Sequence, residues 1–134
     1  MRINQFKCGY SCDDVDLIKH FPRIDIDPAS IKMIMISESL PKNIEDYFYQ
    51  PNDPMFLQTT NQAFSDAGYS FKVIDDYLTY GIYLTTAIKC PKKDYLVSAQ
   101  TLKNCSSILK NEIDQFENVK VIMLMGDFSI RCIN

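Results

Sequence analysis

Ile31-Lys32-Met33-Ile34-Met35-Ile36, running into Ser37-Glu38-Ser39-Leu40-Pro41, is the stretch from which the fold can be read. An almost continuous apolar run of strand length is what a β-strand covered on both faces requires. The polar residues after it and Pro41 predict its end. Two further runs share this character. Gly81 opens Ile82-Tyr83-Leu84-Thr85-Thr86-Ala87-Ile88, rich in β-branched and aromatic residues, and Val119-Lys120-Val121-Ile122-Met123-Leu124-Met125 is the third. Helical patterns lie between them. Residues 43–48 suit one or two helical turns. Residues 57–67 read as a helix stopped by Gly68, and residues 73–78 as a shorter one. Ser98 can cap a long helix to about Phe116, with Leu102, Cys105, Leu109, Ile113 and Phe116 along one face. Gly126-Asp127 then turns the chain into a last helix. Strands alternating with helices predict an α/β fold, a three-layer sandwich with a mainly parallel central sheet flanked by helices. In such sheets ligands bind beyond the carboxyl ends of the strands. Glu38, the Thr86 to Cys90 segment and Gly126-Asp127 are therefore expected around one crevice.

The 134 residues suit a single domain able to bury a core, with an apolar fraction of 46% and a charged fraction of 23%. No apolar run reaches the length of a membrane span, and the first seven residues lack the apolar stretch of a signal peptide. A cytoplasmic protein is expected, with no membrane and no obligate protein partner. There five cysteines read as thiols, metal ligands or cluster ligands rather than disulfides. The net charge of −3 provides no global attraction to nucleic acid but leaves room for a local basic patch. Lys89-Cys90-Pro91-Lys92-Lys93 is the one strongly basic loop, and Lys103 and Lys110 follow it. Taken alone, these lysines read as a solvated face.

Residues 1–30 read as an irregular segment carrying Cys8 and Cys12, with a short helix near residues 13–20. Cys90 and Cys105 form a second pair that flanks the basic loop. Glu38 has two readings: a pocket carboxylate that polarises water or stabilises a developing cation, or a surface turn residue. His20, the single histidine, reads as a surface or packing residue.

Taken in order, Ser37-Glu38-Ser39-Leu40-Pro41, Glu45-Asp46, Pro54-Met55-Phe56, Tyr83 to Cys90, Cys105 and Val121 to Asp127 resemble the uracil-DNA glycosylase superfamily. The likeness is greatest to its iron–sulfur-containing family 4 branch and runs from Cys8 to Asp127. It implies a DNA-repair hydrolase that cleaves the N-glycosidic bond of a flipped deaminated base, uracil by default. Glu38 would be the catalytic acidic residue, replacing the family's Gly-Glu-Ala-Pro-Gly with Ser37-Glu38-Ser39-Leu40-Pro41. Phe56 would stack on the base. Thr86 stands where the family has an Asn that reads the base edge, so a single rotatable hydroxyl replaces a fixed donor–acceptor pair. Lys89, Lys92 and Lys93 would lie along the DNA backbone.

The resemblance also implies that Cys8, Cys12, Cys90 and Cys105 hold a [4Fe–4S] cluster, with four-cysteine zinc as the alternative and free thiols third. Cys8 and Cys12 are one residue further apart than the family's Cys-x-x-Cys. Cys132 has no counterpart in that set. The family's domain continues through a further helix, a strand and a His-containing loop. The sheet is accordingly expected to be incomplete at the C-terminus, the chain being the N-terminal portion of such a domain. The rival reading is a non-catalytic nucleic-acid-binding or cluster-carrying relative with an altered pocket.

Overall fold

The structure is a computed structural model, and it describes residues 8, 10, 12–16, 24–94 and 96–133. His20 and residues 17–20 of the short helix expected near the N-terminus lie outside the described residues. Three parallel strands form an open sheet in the order β2-β1-β3. They are β1 (Met33–Leu40), β2 (Ile82–Pro91) and β3 (Val121–Leu124). Met33 aligns with Ile82 on one side and with Val121 on the other, and Ile36 aligns with Thr85 and Leu124. Among the described residues, four α-helices flank the sheet: α1 (Met55–Asp66), α2 (Ile74–Tyr80), α3 (Ala99–Ile113) and α4 (Asp127–Ile133). The α/β class and parallel sheet expected from the sequence are present. Among the described residues, no helix is long and apolar enough to cross a membrane.

Period-two alternation along β1 sorts its side chains between two cores. Ile34 and Ile36 pack with Leu102, Cys105 and Leu109 of α3 and with Phe128 and Cys132 of α4. Met35 packs with Leu57 of α1, Tyr77 of α2 and Leu84 of β2. The first strand starts two residues later than expected and runs on through the polar Ser37-Glu38-Ser39 to Leu40. It does so because Ser37 and Ser39 keep their partners Thr86 and Ile88 across the sheet. All ten residues of β2 are buried. Its outer edge is closed by Tyr49, whose hydroxyl donates to the Leu84 carbonyl at 2.6 Å and accepts from the Leu84 amide at 3.2 Å. That burial pushes the Tyr49 phenol well above the ordinary tyrosine range.

The described part of the N-terminal segment is pinned at the start of α3. Val15 bridges Lys92 in antiparallel fashion, and the Asp16 amide donates to the Pro91 carbonyl at 2.8 Å. Asp14 accepts from the Ser98 amide and from the Thr101 hydroxyl, each at 2.6 Å. Ser98 itself caps α3 by accepting from the Thr101 amide. Desolvation raises the Asp14 carboxyl, but these hydrogen bonds outweigh it and hold the group below its ordinary value.

Candidate functional site

Glu38 sits near the carboxyl end of the central strand and is half-buried. Its Oε1 accepts the Asp127 amide at 3.0 Å, and its Oε2 lies 3.4 Å from Lys92 Nζ. Gly126 makes this approach sterically feasible. Its φ is +100°, and a Cβ there would stand 2.4 Å from Glu38 Oε1. Lys92 Nζ also lies 4.4 Å from the centre of the Phe128 ring, and the Arg131 guanidinium carbon lies 5.8 Å from it. The ends of β1, of β2 and of the β3–α4 turn thus meet around one carboxylate, as topology alone predicts. Chemically, a carboxylate held by one cation and one amide can orient water or face a developing positive charge.

The other proposed contacts fall elsewhere. Lys89, read as a backbone-phosphate contact, is 1% exposed. Its ammonium donates to Glu112 Oε1 at 2.6 Å, to Thr85 Oγ1 at 2.8 Å and to the Thr86 carbonyl. Glu112 is fully buried and its Oε2 accepts the Tyr83 and Thr85 hydroxyls at 2.6 and 2.7 Å. A lysine so enclosed cannot reach a phosphate, so the backbone-contact assignment is corrected for Lys89 and stays open for Lys92 and Lys93. Lys93 is exposed and Lys92 is half-buried. Thr86 is 1% exposed and its hydroxyl donates to the Ile88 carbonyl at 2.9 Å. Reading a base edge would require it to exchange that bond. Phe56 is half-buried on α1, edge-on to Phe48 with ring centres 5.6 Å apart, and joins the Met35–Leu57 core.

The thiols gather around α3. Cys90, Cys105 and Cys132 are buried in one core cluster, and Cys12 packs against it. Cys12 Sγ accepts from Asn104 Nδ2 at 3.7 Å. Burial pushes the Cys105 thiol up, a hydrogen bond from the Lys89 backbone opposes this, and Cys12 and Cys8 lie close enough to add to the rise. Burial likewise raises Cys132 to about 11. Among the described residues, no three His, Cys, Asp or Glu side chains are arranged to hold a metal ion. The soft donor chemistry of these neighbouring thiols suits a cluster or zinc.

Glu112, Asp14 and Phe128 are the participants that sequence reading missed. Glu112 carried a usable signal. It falls on the apolar stripe of α3 with Cys105 and Leu109, and a charge there needs a buried partner. Lys89, the one charged residue of β2, is that partner. Compared with protein-family models, characterised proteins and solved structures, the chain shows no match.

Proposed function

We propose that the chain belongs to a DNA-repair glycosylase that hydrolyses the N-glycosidic bond of a flipped deaminated base, with uracil the default. The observation that carries this reading is the carboxylate of Glu38 at the end of the central strand, facing Lys92 and the Asp127 amide. In this role Glu38 orients a water or stabilises the cationic sugar as the C1′–N bond breaks. The water oxygen bonds to C1′, the base departs with the bonding pair, and a proton follows it. Lys92 and Lys93 supply salt-sensitive, sequence-independent affinity at the rim. Phe56 stacks on the base once the loop before α1 turns it outward. The fold is then a three-layer α/β domain, and a [4Fe–4S] cluster or zinc on Cys8, Cys12, Cys90 and Cys105 has a structural role, tying the N-terminal segment to the basic loop.

The test is release of uracil from single- and double-stranded DNA, with Glu38→Gln as the variant because the amide oxygen still accepts from Asp127. Loss of release with retained DNA binding supports the reading. Undiminished release removes Glu38 from the mechanism.

A second reading has its own support: the Thr86 hydroxyl and the Lys89 ammonium are both committed within the protein. A non-catalytic DNA-binding relative fits that commitment. Salt-dependent DNA binding without base release, in protein carrying its metal as purified, identifies it.

A further inference from the structure

Four polar residues of α3 and its cap recur at every third position: Ser98, Thr101, Asn104 and Ser107. Such a row forms an oblique ridge on a helix. Alternate residues of the N-terminal segment meet this ridge in reverse order. Asp14 accepts from the Ser98 amide and from the Thr101 hydroxyl at 2.6 Å each. Asn104 Nδ2 donates to Cys12 Sγ at 3.7 Å. The hydroxyl oxygens of Tyr10 and Ser107 lie 3.5 Å apart. The same segment also pairs with the end of β2. The Lys93 amide donates to the Asp14 carbonyl at 3.1 Å, and the Asp16 amide to the Pro91 carbonyl at 2.8 Å. Cys90 immediately precedes Pro91, and Cys105 immediately follows Asn104. The segment is thus fastened to both elements that carry the second cysteine pair.

Asn104 is the rung that needs a reason. Asparagine is a poor choice for a helix interior, and this one is only 9% exposed, where an amide has to be hydrogen-bonded. Gln100 donates to its Oδ1 at 2.8 Å, which leaves the Nδ2 end for the sulfur. A neutral thiol is a weak acceptor, whereas a metal-bound sulfur is anionic and takes a stronger bond. An amide N–H buried against Cys12 is matched to the second state. We propose that Asn104 is a positioning residue for a four-thiol metal site, its N–H holding Cys12 Sγ beside Cys105 while the ladder on α3 sets the register of the N-terminal segment. The inference rests on the four-cysteine reading given above. Register also gives the cysteine spacing a reason. Residues 10, 12 and 14 alternate onto α3. Cys8 continues that alternation and, like Cys12, lies close to Cys105. A separation of four therefore keeps both thiols on the side of Cys105, and a separation of three would part them.

The experiment is anaerobic titration of the reduced 134-residue protein with cobalt(II), read by sulfur-to-cobalt charge-transfer absorption, with urea unfolding of the metal-free protein alongside. The parent chain is expected to bind cobalt through thiolates. Asn104→Leu is expected to bind it about 10–100-fold more weakly, the usual cost of losing the outer partner of a metal ligand. Asn104→Asp keeps the shape and the bond from Gln100 but turns an anionic oxygen toward the sulfur, and is expected to bind more weakly still. Deleting Gly9, which brings the two cysteines to a separation of three, is expected to weaken binding as well. A purely structural role for Asn104 would lower the urea midpoint and leave the cobalt affinity untouched. That result for both Asn104 variants overturns the proposal, and undiminished binding after the Gly9 deletion overturns the register. A parent chain that binds no cobalt, or binds it without charge-transfer absorption, overturns the four-thiol reading itself.

Discussion

Replacing Glu112 tests the claim that β2 and α3 are joined by a closed polar network rather than by apolar contact alone. Glu112→Leu removes an acceptor of three hydrogen bonds, from Lys89, Tyr83 and Thr85. It leaves the Lys89 ammonium at 1% exposure with the Thr85 hydroxyl and the Thr86 carbonyl as its partners. Breaking a buried pair from one side costs about 3–5 kcal/mol, because the surviving charge is left uncompensated. Domains of this size are stable by only about 5–15 kcal/mol. With an unfolding entropy of roughly 2.1 cal/mol/K per residue, that loss lowers Tm by about 11–18 °C. Urea unfolding followed by circular dichroism measures it as a lower midpoint at unchanged slope. Lys89→Met with Glu112→Leu removes both charges and is expected to be more stable than either single variant, because no ion is then stranded. A Glu112→Leu protein within about 1 kcal/mol of the parent would refute the reasoning, since that is the cost of one ordinary hydrogen bond.

Gly126→Ala combines a positive φ with a Cβ inside contact distance of Glu38, whereas Gly68→Ala meets only the backbone strain, with nothing within 4 Å. The first is expected to cost at least about 1 kcal/mol more than the second in urea unfolding, and Glu38→Ala to relieve the excess. The folded-state carboxyl of Asp14 lies below its ordinary 3.8. Its contribution is therefore present above that value and is lost as pH falls through the lower folded value. Asp14→Asn is expected to flatten the acid limb of stability against pH, read by thermal unfolding in a pH series. For DNA binding, Lys93→Ala is expected to reduce the slope of log K against log salt by about 0.9. Lys89→Met, with its charge buried beforehand, is expected to leave that slope unchanged.

The order of strands and helices was legible because apolar runs and helical stripes are local signals, recorded in consecutive residues. Their ends were less so. β1 outlasts its apolar run because cross-strand partners, which lie more than forty residues away, hold Ser37 and Ser39 in the ladder. The same reasoning separates the lysines. Lys89 and Lys92 look alike in one basic loop, yet β2 continues through Pro91 and draws Lys89 inside. Only Glu112, in the next helix, makes that burial tolerable. Glu38 was legible as a strand-end carboxylate, since the position follows from β1 alone. Its partners were not, because the Asp127 amide and the space left by Gly126 depend on how the third strand turns into α4.

These placements bear on which residues a ligand can meet. Every residue of β2 is buried, so the strand most densely supplied with candidate contacts presents none of them at its surface. Among the described residues, the strand ends present Glu38, Ser39, Lys92 and Lys93 at least partly to solvent, with the Phe128 ring under Lys92 and Arg131. That set carries charge and one aromatic face but no fixed donor–acceptor pair of the kind that distinguishes one base from another. On the proposed glycosylase reading, discrimination between bases draws on backbone groups near residues 39–41 and the Gly126 turn, or on rearrangement of Thr86. The contrast is measurable. Thr86→Val retains the volume of the side chain and removes only its hydroxyl, so it changes base preference if Thr86 rearranges to read the edge. It leaves preference intact, while costing the bond to the Ile88 carbonyl, if the hydroxyl is structural.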